Sequence, residues 1–174
     1  MRKFVSLGII LPLASYSAVA QAVIAVRNDY QPQEIKQQAD YYARVLGLDS
    51  TVYILINFSL KVPRKIKGFT QYQDARPQGG GHQIHISISK KAGRSHQLRT
   101  LAHEMVHAHQ FVRGQLVQCD PTHFSWQNQA CEKLDKLAYL DRPWEKEATQ
   151  IGTMLYDTFQ ERITLHQAVS FWRR

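Results

Sequence analysis

His103-Glu104-Met105-Val106-His107 spells H-E-x-x-H. On an α-helix two histidines at that spacing lie about 40° apart on one face, so both imidazoles can reach a single metal ion. Glu104 falls roughly 100° round from His103, beside such an ion instead of on it. A carboxylate placed there can take a proton from a water made acidic by zinc and return it to a leaving amine. The residue types therefore point to metal-assisted amide hydrolysis, with one Zn2+ as cofactor, Glu104 as general base and a peptide or protein as substrate. Their neighbours supply the helix: Leu98, Leu101, Met105 and Val112 recur at helical spacing, no Pro or Gly interrupts residues 95–113, and Gly114 stands where a helix would stop.

Catalytic zinc usually takes three protein ligands and leaves a fourth position open, so a third donor is needed. A third histidine following directly on the same motif would require Gly at position 110 and His at 113, where the chain has Gln110 and Arg113. His123, in Asp120-Pro121-Thr122-His123-Phe124, is a second option, at a spacing similar to that of SprT-like proteases, whose third ligand is a histidine after a short spacer. An exposed loop histidine is the ordinary reading of it. The third option is the run from Tyr139 to Ala148, where Asp141 ahead of Pro143 signals a helix start and a periodic pattern continues to about Ile163. On that helix Glu145, Ala148, Thr149 and Gly152 share a face, and the small residues would let it lie close to the first helix with Glu145 reaching the ion. Glu147 shares its face with Gln150, Ile151 and Met154 and is the alternative. The expected metal ligands are His103, His107 and Glu145.

H-E-x-x-H followed by Glu145-Lys146-Glu147-Ala148 and Gly152 resembles the gluzincin zinc peptidases, in which a glutamate on a second helix completes the site. The Pro143-Trp144-Glu145-Lys146-Glu147-Ala148 wording is similar to small zinc metallopeptidases of that type. Integral-membrane members tend to read E-x-E-A-D-x-x-G, and Thr149 stands here where that Asp would be, a departure that bears on hydrogen bonding around the ligands more than on metal binding. The resemblance implies an α+β fold with a compact zincin-like core: an N-terminal helix, a small three-stranded sheet, the H-E-x-x-H helix and the glutamate helix. It further implies that the strand at residues 84–89 edges the substrate cleft.

The elements that must position these groups are legible upstream. Pro32 leads into a helix over residues 33–46 with Ile35, Ala39, Tyr42 and Leu46 on one face and Gly47 closing it. Residues 51–58 carry Val52, Ile54, Ile56 and Phe58 on one side and read as a strand, residues 68–73 as a shorter one. A glycine-rich turn, Gly79-Gly80-Gly81, feeds residues 82–89, where Ile84, Ile86 and Ile88 alternate with His85, Ser87 and Ser89 as in a half-buried strand. An extended substrate would add alongside it. Tyr139, Tyr156 or His166 could donate to the oxyanion. His109 faces away from the motif and reads as structural, while Phe124 and Trp126 either line the cleft or anchor a small subdomain.

The ends and the composition say where such a protein works. Arg2 and Lys3 precede an apolar run from Phe4 to Ala14, and Ala18-Val19-Ala20 and Ala20-Gln21-Ala22 offer small-x-small cleavage sites, so residues 1–22 read as a signal peptide and 23–174 as one zinc metallopeptidase-like domain. The apolar run is too short for the roughly 20 residues of a membrane span. Export, to the periplasm or outside, puts the two cysteines, Cys119 and Cys131, in an oxidising compartment where they can pair, given a turn between them. The 174 residues, 44% hydrophobic and 21% charged, suit one modest core. The net charge of +8 collects at Arg64, Lys65 and Lys67, at Lys90, Lys91 and Arg94, and at Arg173 and Arg174. Such runs are ordinarily solvated loops, and export argues against a nucleic-acid partner. Two other functions remain open: a SprT-like protease using His123, and a zinc-binding domain without catalysis, for which Glu104 would have no use.

Overall fold

The computed structural model describes residues 21–63, 65–74 and 81–172. Residues 1–20 of the expected signal peptide, Arg64, most of the glycine-rich turn, Arg173 and Arg174 lie outside the described residues. In chain order the elements are β1 (Val23–Arg27), α1 (Pro32–Val45), β2 (Val52–Ser59), β3 (Gly68–Asp74), β4 (His82–Ser89), α2 (Arg94–Val112), β5 (Leu116–Gln118), β6 (His123–Trp126), β7 (Glu132–Lys133) and α3 (Pro143–Trp172), with short 3-10 turns at Leu134–Lys136 and Tyr139–Asp141. The fold is α+β, as the sequence leads one to expect.

The alternating isoleucines build the sheet. β2 and β4 pair in parallel with Ile54 opposite Ile84 and Ile56 opposite Ile86, so their side chains form one continuous apolar layer, each fully buried and each contributing about 2 kcal/mol of transfer free energy. α1 covers that layer with Ile35, Ala39, Tyr42 and Ala43, and α2 covers it with Leu98, Leu101, Ala102, Met105 and Val106. Gly47 and Gly114 end the two helices at φ +67° and +66°, a left-handed conformation that a Cβ would strain. Among the described residues no helix is long and apolar enough to cross a membrane.

Three expectations are corrected. The main sheet has four strands, not three, in the order β1-β2-β4-β3, because the extended stretch before α1 pairs in parallel with β2; a second small sheet orders β5-β6-β7. β4 therefore lies between β2 and β3 and does not edge the cleft. Both its hydrogen-bonding sides are occupied, and β3, antiparallel to it, is the edge strand on that side among the described residues. The glutamate helix also runs past Ile163 to Trp172, since no Gly or Pro after Gly152 stops it.

Candidate metal centre

α2 carries the motif into the middle of the molecule. Its apolar side faces the sheet, while His103 and His107 turn towards α3. The approach of the two helices is set by Gly152: a Cβ there would sit 2.9 Å from the His103 Cα and 3.0 Å from its backbone nitrogen, closer than real side chains come. The small stripe read from the sequence thus has a direct use, with Ala148 fully buried beside it. About two turns before Gly152, Glu145 extends to the histidines.

The three donors converge. His103 Nε2 lies 3.1 Å from His107 Nε2 and 3.1 Å from Glu145 Oε2, and His107 Nε2 lies 3.3 Å from Glu145 Oε2. Tetrahedral zinc with bonds of about 2.0–2.1 Å separates its ligand atoms by roughly 3.3 Å. Two imidazole nitrogens and one carboxylate oxygen at these separations, largely buried, form a group that could hold a metal ion, and the donor set suits zinc. Burial works against a charged Glu145, but hydrogen bonds to His103, His107 and Tyr139 outweigh it and hold the carboxyl well below the usual range. Burial likewise pulls His107 down, and the Glu145 hydrogen bond with the nearby charge of Glu104 turns the balance upward. The site is built for positive charge at its centre.

Each histidine needs its lone pair aimed inward, and for His107 the reason is visible. Gln110, fully buried, stands one turn further along α2. Its amide nitrogen donates to the Trp144 carbonyl at 3.1 Å and to Glu147 Oε2 at 2.8 Å, which fixes the oxygen of the same amide towards His107 Nδ1 at 2.8 Å. An amide oxygen only accepts, so Nδ1 carries the proton and Nε2 presents its lone pair to the centre. Glu147, the alternative ligand in the sequence, instead locks the residue that orients His107.

Glu104 lies beside the group, 4% exposed. Thr70 Oγ1 of β3 donates to its Oε2 at 2.7 Å. Burial pushes the Glu104 carboxyl above its usual value, against the pull of His107, His103 and the Thr70 hydrogen bond. Thr70 and Gln110 were both missed in the sequence. The signals were present: Gly68, Thr70 and Tyr72 alternate onto one face of β3, and Gln110 follows His107 at i+3, the same helix face.

These groups stand on the floor of a cleft of about 720 Å³. α2 forms the floor, residues 65–70 one wall and the first turns of α3 the other, while Leu116, Phe124, Leu134 and Tyr139 close one end. Tyr139 reaches over the group, with its hydroxyl 3.5 Å from His103 Nε2; burial and the neighbouring Glu145 carboxylate raise its pKa. Of the other proposed donors, Tyr156 is buried in the core beneath Arg99 and His166 is exposed on α3, and neither lines the cleft. His123 is not brought to the group: it sits on β6, paired with Asp120 at 2.8 Å. His109 is half-buried away from the centre. Phe124 does line the cleft and stacks on Trp144, whereas Trp126 is buried in the core and packs against the same indole.

The end wall is fastened by a bond between Cys119 and Cys131, whose Cα atoms are 6.4 Å apart. The required turn between them is made at Gln127 and Asn128, both at positive φ. No protein-family model, curated protein or solved structure matches this chain.

Proposed function

We propose that the chain is an exported zinc-dependent peptidase in which His103, His107 and Glu145 hold the metal and Glu104 is the general base. The observation that carries this reading is the tetrahedral spacing of the three donors together with a buried carboxylate one residue along the same helix. A purely structural metal site would have no use for that carboxylate. When bound, zinc supplies Lewis acidity, which polarises a carbonyl and lowers the pKa of a water towards about 7.

The chain's own residues do the rest. Glu104 takes the proton of the attacking water and passes it to the departing amine, and Thr70 holds its carboxylate in one orientation. Tyr139, half-exposed at the cleft mouth, donates a hydrogen bond from its hydroxyl to the oxygen that gains charge in the tetrahedral intermediate. The free edge of β3, not β4, offers main-chain groups to an extended substrate. The Cys119–Cys131 bond is of the kind that persists in oxidising compartments, which supports export.

The test is a paired measurement on purified protein. We expect about one zinc per chain, lost in Glu145→Ala and retained in Glu147→Ala, and hydrolysis of an unstructured protein such as casein that drops at least 100-fold in a zinc-replete Glu104→Gln variant. An active Glu104→Gln variant, or full zinc in Glu145→Ala, would refute the proposal.

A further inference from the structure

The cleft is asymmetric along its length. β3 and α2 run side by side: Gly68 abuts Thr100, Thr70 meets Glu104, and the Tyr72 ring stacks on Phe111 at 5.6 Å between centroids. The metal group occupies the middle of this line. Beyond it on one side the lining is apolar, with Phe111, Leu116, Phe124, Leu134 and Trp144; on the other stand Lys65, Lys67 and Arg99. At about 1.5 Å per helical residue, Arg99 is roughly 9 Å along α2 from the level midway between the two histidines. An extended chain covers that distance in two to three residues at about 3.3 Å each.

Among the described residues little neutralises the basic end. Between Asp49 and Glu104 the sequence holds a single acidic residue, Asp74, against nine Lys and Arg, of which Arg94 is paired with Asp29 and Glu34; Asp74 stands in register with His82, at the opposite end of β3 from Lys67. Ser89 donates to the Lys67 carbonyl and Lys90 to the Ser59 carbonyl, so the turn bearing Lys90 and Lys91 lies against the one bearing Lys61 and Lys65. Arg99 has one acidic neighbour, Asp157 at 4.0 Å, with both side chains 54% exposed, a contact that solvent largely screens. Its guanidinium lies 4.3 Å from the Tyr156 ring centroid, which stacks it on α3 at the cleft's edge. The other cleft arginine, Arg142, is committed at the apolar end to the Leu134 carbonyl.

The geometry points to a substrate chain with acidic side chains two or three residues from the cleaved bond, on the side lying over Lys65, Lys67 and Arg99. The inference rests on the peptidase reading and names the class of peptide that the cleft selects.

It is tested with zinc-loaded Glu104→Gln protein and fluorescent peptides of one uncharged core, carrying an Asp pair or an Asn pair two and three residues before its centre, or after it. Anisotropy titration at about 20 mM salt should give, for one of the two placements, about tenfold tighter binding of the Asp peptide, a ratio that falls towards one at about 0.5 M salt. The ratio should also fall to about one when Lys65→Gln, Lys67→Gln and Arg99→Gln are added; the salt series needs no variant and stands if that protein folds poorly. Equal binding of Asp and Asn peptides in both placements overturns the inference, as does a preference that survives high salt. Binding of the unmodified protein to vesicles rich in anionic lipid, together with equal peptide binding, assigns the lysines to a membrane surface and overturns it too. Hydrolysis by the unmodified protein separates the two readings: a binding preference without cleavage of any peptide refutes the peptidase and keeps the charged subsite, while cleavage of Asp and Asn peptides at equal kcat/KM does the reverse.

Discussion

Replacing Gln110 should weaken metal binding although Gln110 is no ligand. Gln110→Leu nearly preserves volume, so the loss is one of hydrogen bonds and not of packing. It leaves the proton on His107 Nδ1 without an acceptor, in a side chain only 10% exposed, and it takes one donor from the Trp144 carbonyl and from Glu147. An orphaned buried donor costs about 1–3 kcal/mol; Glu147 is half-buried and can turn to water, so it adds less. About 2–3 kcal/mol in all corresponds to a Tm lowered by roughly 4–12 °C for a domain of this size. The part that frees the His107 ring appears as affinity, and removal of such a partner typically costs 10- to 100-fold. Chelator competition at neutral pH measures it. Gln110→Glu alone sets two carboxylates against each other at the Glu147 contact and should be worse for stability, whereas adding Glu147→Gln restores a donor and an acceptor and should bring affinity back to within a few-fold of the starting protein. Zinc affinity unchanged within threefold in Gln110→Leu would refute the claim that this amide orients His107.

Three further outcomes follow from the same geometry. Gly152→Ala forces α3 away from the His103 backbone, which a Cβ would approach at 2.9 Å; about 1–3 kcal/mol of stability is lost, zinc affinity falls with it, and a calorimetric scan showing no change would contradict the close helix approach. In metal-free protein the folded pKa of Glu104 is raised above its ordinary value of 4.5, so the contribution of its neutral form is fully present below that value and is lost as pH rises through the folded pKa. Metal-free Glu104→Gln should therefore resist urea better than the starting protein at pH 7, with the difference shrinking towards pH 4; equal midpoints at both would deny the burial cost. Cys131→Ser opens a loop closed across a separation of 12 residues and should cost about 3 kcal/mol on the chain-entropy model, with zinc content intact because no ligand lies in that loop; loss of zinc would tie the loop to the metal centre.

The two main helices, β2 and β4 were legible because their periodicity reports burial directly. β2 was read from its β-branched and aromatic side, and β4 matched its expected span to the residue because strict alternation and a glycine turn bound it. Strand order was not legible: which neighbours flank β4 depends on chain crossovers, about which a period-two pattern says nothing. β1 was visible only as a short extended stretch ahead of the first helix, because it is five residues long and its partner lies beyond a whole helix. At the metal group, Glu145 could be preferred over Glu147 because Ala148 and Gly152 marked the face of close approach. Gln110 and Thr70 could not be found by searching for apolar stripes, since a polar side chain that is buried, like Gln110, or half-buried, like Thr70, looks like a surface one until its partners are known.

The two halves of the cleft are made from different kinds of structure. The floor and the candidate metal-binding group belong to α2 and the start of α3; buried aliphatic side chains hold α2 to the sheet and the Gly152 contact holds α3 to α2. The end wall is a small three-stranded sheet and two 3-10 turns, with few buried side chains and one covalent cross-link. That wall can be exchanged, lengthened or redrawn between its anchor points without disturbing His103, His107 and Glu145, which makes residues 115–138, short of Tyr139 and its contact with His103, the natural module for altering what enters the cleft.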